Sequence, residues 1–145
     1  MISIILVPAL LVIAIALFPK GQAKVGLVAG QLNPCPGTPN CVCSEGKLVS
    51  SYIAPFIFDG MAQAAWQRLK HIIVVSGGNI LTEEGDYILA SFTTRWLRFV
   101  DDVEFRMDAD SHVIHVRSAS RIGRSDLGAN RNRVEMLRSL FNSNL

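Results

Sequence analysis

The sequence is short of charge. Only 18% of its 145 residues are charged, and 14 Lys plus Arg against 12 Asp plus Glu leave a formal net charge of +2. So small an excess of positive charge excludes a nucleic-acid-binding surface of the usual kind. Half of the residues are apolar and the mean hydropathy is +0.32, which is high for a soluble protein. This combination is typical of a membrane-directed segment joined to one small globular domain.

Catalytic motifs are missing as well. The chain has no Gly-x-Ser-x-Gly, no glycine-rich phosphate loop and no His-Glu-x-x-His, and no nucleophile is paired with a base. The three histidines, His71, His112 and His115, fall on the polar sides of their predicted elements. The sequence therefore leaves the catalytic residues unknown, and we expect no cofactor.

Charge is absent altogether from residues 2–18, which only Ser3 and Pro8 interrupt. A helix of this length spans about 25 Å, slightly less than the hydrocarbon core of a bilayer. We expect residues 1–24 to be a hydrophobic helix that serves as a membrane anchor or as a signal segment. A cleavable signal would end at Ala23, behind a small residue at the third position before the cut.

Cysteine is scarce, and Cys35, Cys41 and Cys43 all lie in one stretch rich in Pro and Gly. A Cys35–Cys41 disulfide would close a short loop, contribute about 2.4 kcal/mol and leave Cys43 free. Reduced structural cysteines and metal or redox chemistry are the alternatives, but the spacing does not suit zinc, so no metal is predicted. A disulfide indicates an oxidising compartment. We expect a membrane-attached or secreted protein on the periplasmic, extracellular or thylakoid-lumen side, although Lys20 and Lys24 argue weakly for a cytoplasmic domain.

The remaining pattern predicts an α+β fold. Residues 25–46 are expected to form a linker and the cysteine loop, and residues 47–145 a single domain. The predicted helices are 60–75, capped by Asp59, and 131–141, capped by Asn130. Residues 48–58 are predicted to be extended, and Pro55 makes them an edge strand or two short pieces. The other predicted strands are 80–82, 87–96, 101–107 and 112–121. Because the last four strands run consecutively between two helices, we expect an antiparallel sheet of four or five strands. Two helices cover one face of it, and the N-terminal hydrophobic helix precedes it.

The last two strands predict their own register. With residues 108–111 as a four-residue loop, Met107 faces His112 and the apolar residues of both strands share one face. On the other face Asp102 then lies opposite Arg117. The register therefore predicts a structural ion pair between Asp102 and Arg117.

Five arginines lie within residues 117–133. Guanidinium groups and the free N–H groups of a helix start both favour phosphate or carboxylate. In the predicted register Arg121 has no cross-strand carboxylate, so Arg121, Arg124 and Arg131 are the candidate anion-binding residues. The alternative is that Arg121 or Arg124 pairs with Asp126 and that the other arginines lie in water.

Three stretches of the chain resemble one known family. They are Cys-Pro-x-x-Pro-Asn-Cys-Val at 35–42, Phe-Val-Asp-Asp-Val-Glu-Phe at 99–105, and Arg-Ser-Ala-Ser-Arg-Ile-Gly-Arg-Ser-Asp-Leu-Gly-x-Asn-Arg at 117–131. Together they resemble the bacterial and plastid family called domain of unknown function 1499, from about Leu32 to the end of the chain. The resemblance implies a small secreted, lipid-anchored or membrane-attached domain, and it supplies no catalytic residues. Where the family usually has Ser, this chain has Cys43.

The expected function is that of a membrane-tethered, extracytoplasmic binding or assembly module that uses its arginine-rich face. Its expected partners are a membrane, through the N-terminal segment, and an anionic ligand or a protein, but not nucleic acid. An enzyme acting on a small molecule with a phosphate or carboxylate is the alternative. A pocket that combines the arginines with an acid or base of perturbed pKa favours the enzyme, whereas a plain arginine face favours binding.

Overall fold

A computed structural model describes residues 24–143 of the chain, with the exception of Trp96. The predicted N-terminal hydrophobic helix and its cleavage site lie outside these residues. Within the described part of the chain, no helix is both long and apolar enough to cross a bilayer.

The main sheet has six strands, each antiparallel to its neighbours. In chain order, after the small hairpin of β1 (Leu27–Val28) and β2 (Gln31–Leu32), they are β3 (Cys41–Cys43), β4 (Phe56–Ile57), β5 (Asn79–Glu84), β6 (Tyr87–Thr93), β7 (Val100–Asp108) and β8 (Val113–Ser120). Their spatial order is β3-β8-β7-β6-β5, and β4 lies beside β3 on the same edge of β8. Of the predicted extended segment at 48–58, only the short piece after Pro55 forms a strand, which is β4 on the edge of β8, while a 3-10 turn occupies Val49–Ser51.

Two helices cover one face of the sheet, as predicted. They are α1 (Ala62–Val75) and α2 (Ala129–Asn142). Leu69 and Ile73 of α1 and Leu137 of α2 are fully buried against the sheet's apolar residues, among them Phe105 and Val116. The i, i+4 spacing of these side chains forms the apolar stripe that directs each helix onto the sheet.

The starts of both helices differ from the prediction. The residue before α1 is Met61, which makes no side-chain cap, so Asp59 is not its cap. Helix α2 begins at Ala129, and Asp126 rather than Asn130 accepts the free N–H groups of its first turn, from Gly128 at 2.9 Å and from Asn130 at 2.8 Å.

The second face of the sheet is covered by residues 24–46, the segment predicted to be a linker and cysteine loop. Leu32, Cys35 and Cys43 pack there with Ala119 in a second apolar cluster. Strand β3 also extends the sheet by pairing with the C-terminal half of β8. The sheet is therefore the middle of three layers.

The predicted β7–β8 register is wrong by two residues. Asp108 pairs with Val113, so the loop is residues 109–112, and His112 sits within it with a left-handed φ of 54°. A shift of two keeps every side chain on its predicted face but changes its partner. Glu104 lies opposite Arg117, and Asp102 lies opposite Ala119. The predicted Asp102–Arg117 ion pair is therefore wrong.

Candidate functional site

The second face of β7 and β8 carries a buried ionic network around Glu104. This carboxylate has no exposed surface, and it accepts hydrogen bonds from Arg117 Nη1 at 2.8 Å, Tyr87 Oη at 2.8 Å and the backbone N–H of Gly26 at 2.7 Å. Burial and the neighbouring carboxylate raise the pKa of the Tyr87 hydroxyl. The tyrosine therefore stays a neutral donor. Three donors replace the water that the carboxylate loses, which is what a buried charge requires.

The predicted anion-binding arginines are held in different ways. Arg121 makes a bidentate pair with Asp102, Nε to Oδ2 at 2.9 Å and Nη2 to Oδ1 at 2.7 Å, so the expectation that it lacks a carboxylate is wrong. Arg131 donates to the carbonyl of Tyr52 at 2.9 Å, and Arg124 is exposed in the loop before α2. No contact tests whether these arginines bind an anion, and that site stays a prediction.

Arg133 completes the set on the helical side of the sheet. It donates to Asp101 Oδ2 at 2.7 Å and stacks over Phe92, 5.1 Å from the ring centroid. Asp101 and Asp102 are adjacent in β7 and so point to opposite faces. Each is neutralised by an arginine that follows β8 in the chain: Arg133 pairs with Asp101 and Arg121 pairs with Asp102.

Asn130 connects two of the three family-like stretches, 35–42 and 117–131. Its side-chain amide is fully buried and donates to the carbonyl of Asn40 at 3.1 Å and to Asp126 Oδ2 at 2.7 Å, while its Oδ1 accepts from Ser118 Oγ at 2.5 Å. Asn40 in turn donates to the carbonyl of Gly123 at 2.7 Å. These bonds fix the cysteine loop against the end of β8 and the start of α2. The sequence offered Asn130 only as a cap, because a buried junction leaves no periodic pattern.

The cysteine loop is closed as predicted. Cys35 and Cys41 form a disulfide, and Cys43 is a free thiol with no exposed surface. Burial raises the pKa of the Cys43 thiol, so the thiolate needed for redox chemistry or metal binding is disfavoured. Among residues 24–143 apart from Trp96, no group of three or more His, Cys, Asp or Glu could hold a metal ion.

A cleft of about 560 Å³ lies between the cysteine loop and the end of β8. One wall consists of Pro34, Pro36 and the disulfide, and the other includes Ala119 and Gly123. The charged residues of its described lining are Lys24, which is exposed, and Arg117, which is 3% exposed. Within the described residues, Arg117 Nε has no hydrogen-bond partner. The cleft thus combines apolar walls with polar side chains and two cationic residues, Lys24 and Arg117, and Arg117 Nε itself is buried in the protein.

A serine, a histidine and a glutamate meet elsewhere on the same face. Ser44 Oγ lies 3.1 Å from His115 Nδ1, and His115 Nε2 lies 3.9 Å from Glu45 Oε1. Burial alone would raise the pKa of Glu45, but hydrogen bonds from Arg106 and from the Leu32 N–H hold that pKa below its ordinary value. Burial lowers the pKa of His115.

Ser44 and His115 lie within hydrogen-bond reach of each other, but the serine is not placed to act as a nucleophile on a ligand in the cleft. Ser44 Oγ is buried, accepts the backbone N–H of Val116 at 2.9 Å and does not line the cleft. Glu45 is held by two bonds from Arg106, at 3.0 and 2.6 Å. The three side chains therefore connect residues 24–46 to the sheet.

Comparison with known proteins places these motifs in one family. The model of the family described as "Protein of unknown function (DUF1499)" matches residues 31–141. The chain belongs to this family. No curated protein matches it, and no solved structure matches it. In this DUF1499 chain, the family match begins in β2 and ends within α2. It therefore leaves out Lys24, which lines the cleft, and Gly26, whose backbone N–H donates to Glu104.

Proposed function

We propose that this DUF1499 protein is a membrane-tethered, extracytoplasmic module that binds a small anionic ligand in the cleft beside the cysteine loop. The observation that carries the proposal is the charge of the cleft, because its described lining residues include the cations Lys24 and Arg117 and no carboxylate. A cationic lining favours a ligand that carries a carboxylate or phosphate group.

The ligand class follows from the walls. Lys24 adds a positive charge at the exposed side of the cleft, whereas the prolines, the disulfide and Ala119 are apolar. A carboxylate or phosphate ester with a short apolar body fits this arrangement, because its charged end meets Lys24 and Arg117 and its body covers the apolar wall.

Binding is favoured over catalysis by the same lining. Its described residues include no histidine and no carboxylate, so they offer no general acid or base of the kind that the enzyme alternative requires. Chemistry within reach of the ligand would have to come from outside the described lining.

The tether is supported by the sequence, and the disulfide supports an oxidising compartment. Residues 2–18 carry no charge, and Cys35–Cys41 is bonded. We expect the full chain to stay with the membrane fraction after alkaline carbonate washing. A variant with Leu10→Arg and Ile13→Arg should be released or lost, since each charge at the middle of the segment costs about 2.5–3.5 kcal/mol.

Ligand binding is tested with the full chain in phosphatidylcholine nanodiscs. Butyrate should shift the amide signals of residues 33–41 and 117–123 in a saturable way, and butylammonium, its cationic match, should not. Arg117→Lys keeps the charge opposite Glu104 but removes Nε, and it should weaken butyrate binding roughly tenfold or more, the value of one charge-assisted hydrogen bond.

Lys24→Gln should also weaken butyrate binding, while Lys47→Gln, an exposed lysine that does not line the cleft, should leave it unchanged. Equal shifts with butylammonium, or butyrate binding that is unaffected by both Arg117→Lys and Lys24→Gln, would show that the cleft is not an anion site.

A further inference from the structure

The two ends of the sheet carry opposite charge. The β5–β6 and β7–β8 turns lie at one end, because β6 and β7 are antiparallel. This acidic end carries Glu84, Asp86, Asp108 and Asp110, and also Glu83, which Lys70 neutralises at 2.8 Å. The opposite end, named here the arginine end, is made of loops 94–99 and 121–128.

Exposed arginines mark the arginine end. Arg95 and Arg98 lie in loop 94–99 and Arg124 in loop 121–128, and all three are exposed. The carboxylates nearby are occupied: Arg121 neutralises Asp102, Arg133 neutralises Asp101, and Asp126 accepts bonds from the first turn of α2. The exposed arginines therefore give this end a net positive charge.

Large apolar side chains also point into solvent at the arginine end. Leu97, between two of the arginines, is 69% exposed, and Leu127 is 95% exposed. Val75, the last residue of α1, is 61% exposed. It also lies at the arginine end, because α1 leads directly into the start of β5, which pairs with Ser91 near the end of β6. Exposed apolar side chains next to arginines are typical of protein surfaces that bind at a lipid interface.

The chain enters the domain at this same end. Lys24, the first described residue, lines the cleft together with Ser120 and Gly123, at the end of β8. The uncharged run of the sequence stops at Phe18. Six residue steps span at most about 20 Å, so the covalent chain limits how far Lys24 can lie from that run.

We propose that the arginine end docks on an anionic lipid surface, with Leu97 and Leu127 at the level of the headgroups. The inference rests on the membrane tether of the proposed function and adds the face that the tethered domain turns to the bilayer. Acidic lipids attract Arg95, Arg98 and Arg124, and they repel the carboxylates of the acidic end, so the charge distribution orients the domain. The cleft opens beside the docked end, near the lipid surface.

The experiment uses the full chain in a Cys43→Ser background, so that a single introduced cysteine carries a fluorophore. The test position is Leu127→Cys, and the matched control is Met61→Cys, which is 75% exposed next to the acidic end. Nanodiscs contain headgroup spin-labelled lipid in phosphatidylcholine, with or without about 30% phosphatidylglycerol to supply negative surface charge. Co-elution of the chain with the disc is recorded separately from quenching.

We expect several-fold more quenching at position 127 than at position 61 in anionic discs. The difference should shrink in pure phosphatidylcholine and in high salt, which screens exposed charges. It should also shrink in Arg95→Gln/Arg98→Gln/Arg124→Gln, and Arg68→Gln, an exposed arginine of α1, should not change it.

The other outcomes distinguish failure of the tether from failure of the docking surface. A chain that does not co-elute with discs overturns the tether and this inference together. A chain that co-elutes but is quenched equally at both positions, or more at position 61, overturns the docking surface alone.

Discussion

At the level of single residues, the arginines of 117–133 act largely through the carboxylates of β7. Arg117, Arg121 and Arg133 each hold one buried carboxylate within 2.8 Å. The carboxylates are the more deeply buried partners, because Asp102 is 3% exposed at its side chain and Arg121 is 24% exposed. Removing an arginine therefore leaves a buried charge without a partner, which costs more than the pair contributes.

Arg121→Gln should lower the free energy of unfolding by about 1–3 kcal/mol, because Asp102 is left buried and unpaired. This loss is smaller than that for a fully buried ion pair, because Arg121 is partly exposed to solvent. Asp102→Asn in the same chain should restore part of the loss. Urea unfolding at pH 7 measures both variants.

Arg124→Gln is the matched control for Arg121→Gln, since Arg124 is exposed and only three residues away. It should change the free energy of unfolding by less than about 0.5 kcal/mol. If Arg121→Gln is as mild as Arg124→Gln, the bidentate pair has no structural role and Arg121 is available to a ligand.

Sequence alternation determined the faces of β7 and β8 but not their partners. Apolar and polar residues alternate in both strands, so a shift of two residues satisfies the pattern equally well. The turn decides between the registers, and His112 adopts a left-handed φ that no sequence rule assigns to it in advance. The sequence therefore did not predict that Arg117 pairs with Glu104. It also did not predict that Arg121 pairs with Asp102, because Asp102 lies opposite Ala119 and Arg121 reaches it diagonally.

At the level of elements, the junction between α1 and β5 depends on two glycines. Gly77 has a φ of 85°, the conformation that ends a helix. Gly78 is crowded instead: a Cβ there would lie 2.6 Å from Phe92 Cζ and 2.8 Å from Ile73 Cγ2. The helix end and the edge strand can approach this closely only because residue 78 has no side chain.

Gly78→Ala should therefore lower the free energy of unfolding by about 1–3 kcal/mol through overpacking. Thermal unfolding measures it as a lower Tm. Gly46→Ala is the control, because its Cβ would meet only Cys43, at an ordinary 3.6 Å, and its φ is not left-handed. An unchanged Tm for Gly78→Ala would mean that Phe92 moves aside freely.

Elements with a strong period were predictable, and short ones were not. The apolar stripes of α1 and α2 predicted both helices, and β5 to β8 follow from alternation and turn residues. Strand β3 has three residues and β4 has two, too few to show a period. They form because β8 offers them an edge, which is a property of the assembled sheet.

At the level of the whole molecule, residues 24–46 form a layer rather than a linker. They supply the cysteine loop, strand β3 and the Gly26 N–H that reaches Glu104. A carboxylate buried on the second face of a sheet needs this cover, and without it water would have to replace the lost donors.

The packed body therefore includes residues before residue 31, where the family match begins, because Gly26 donates to Glu104. A chain of residues 24–145 should unfold cooperatively. A chain of residues 31–145 loses the Gly26 donor and β1, and its free energy of unfolding should be about 1–3 kcal/mol lower, the cost of leaving a buried acceptor short of a donor. Urea unfolding of the two chains decides, and equal stabilities would show that the cover is dispensable.

The position of the disulfide also bears on the order in which the chain is assembled during synthesis. Cys35 and Cys41 are six residues apart, whereas the Asn40–Asn130 contact joins residues separated by 90. The loop can therefore close as soon as it reaches an oxidising compartment, while β8 and α2 are still being made. In such a compartment, β8 and α2 would complete their part of the fold against a cysteine loop whose disulfide is already formed.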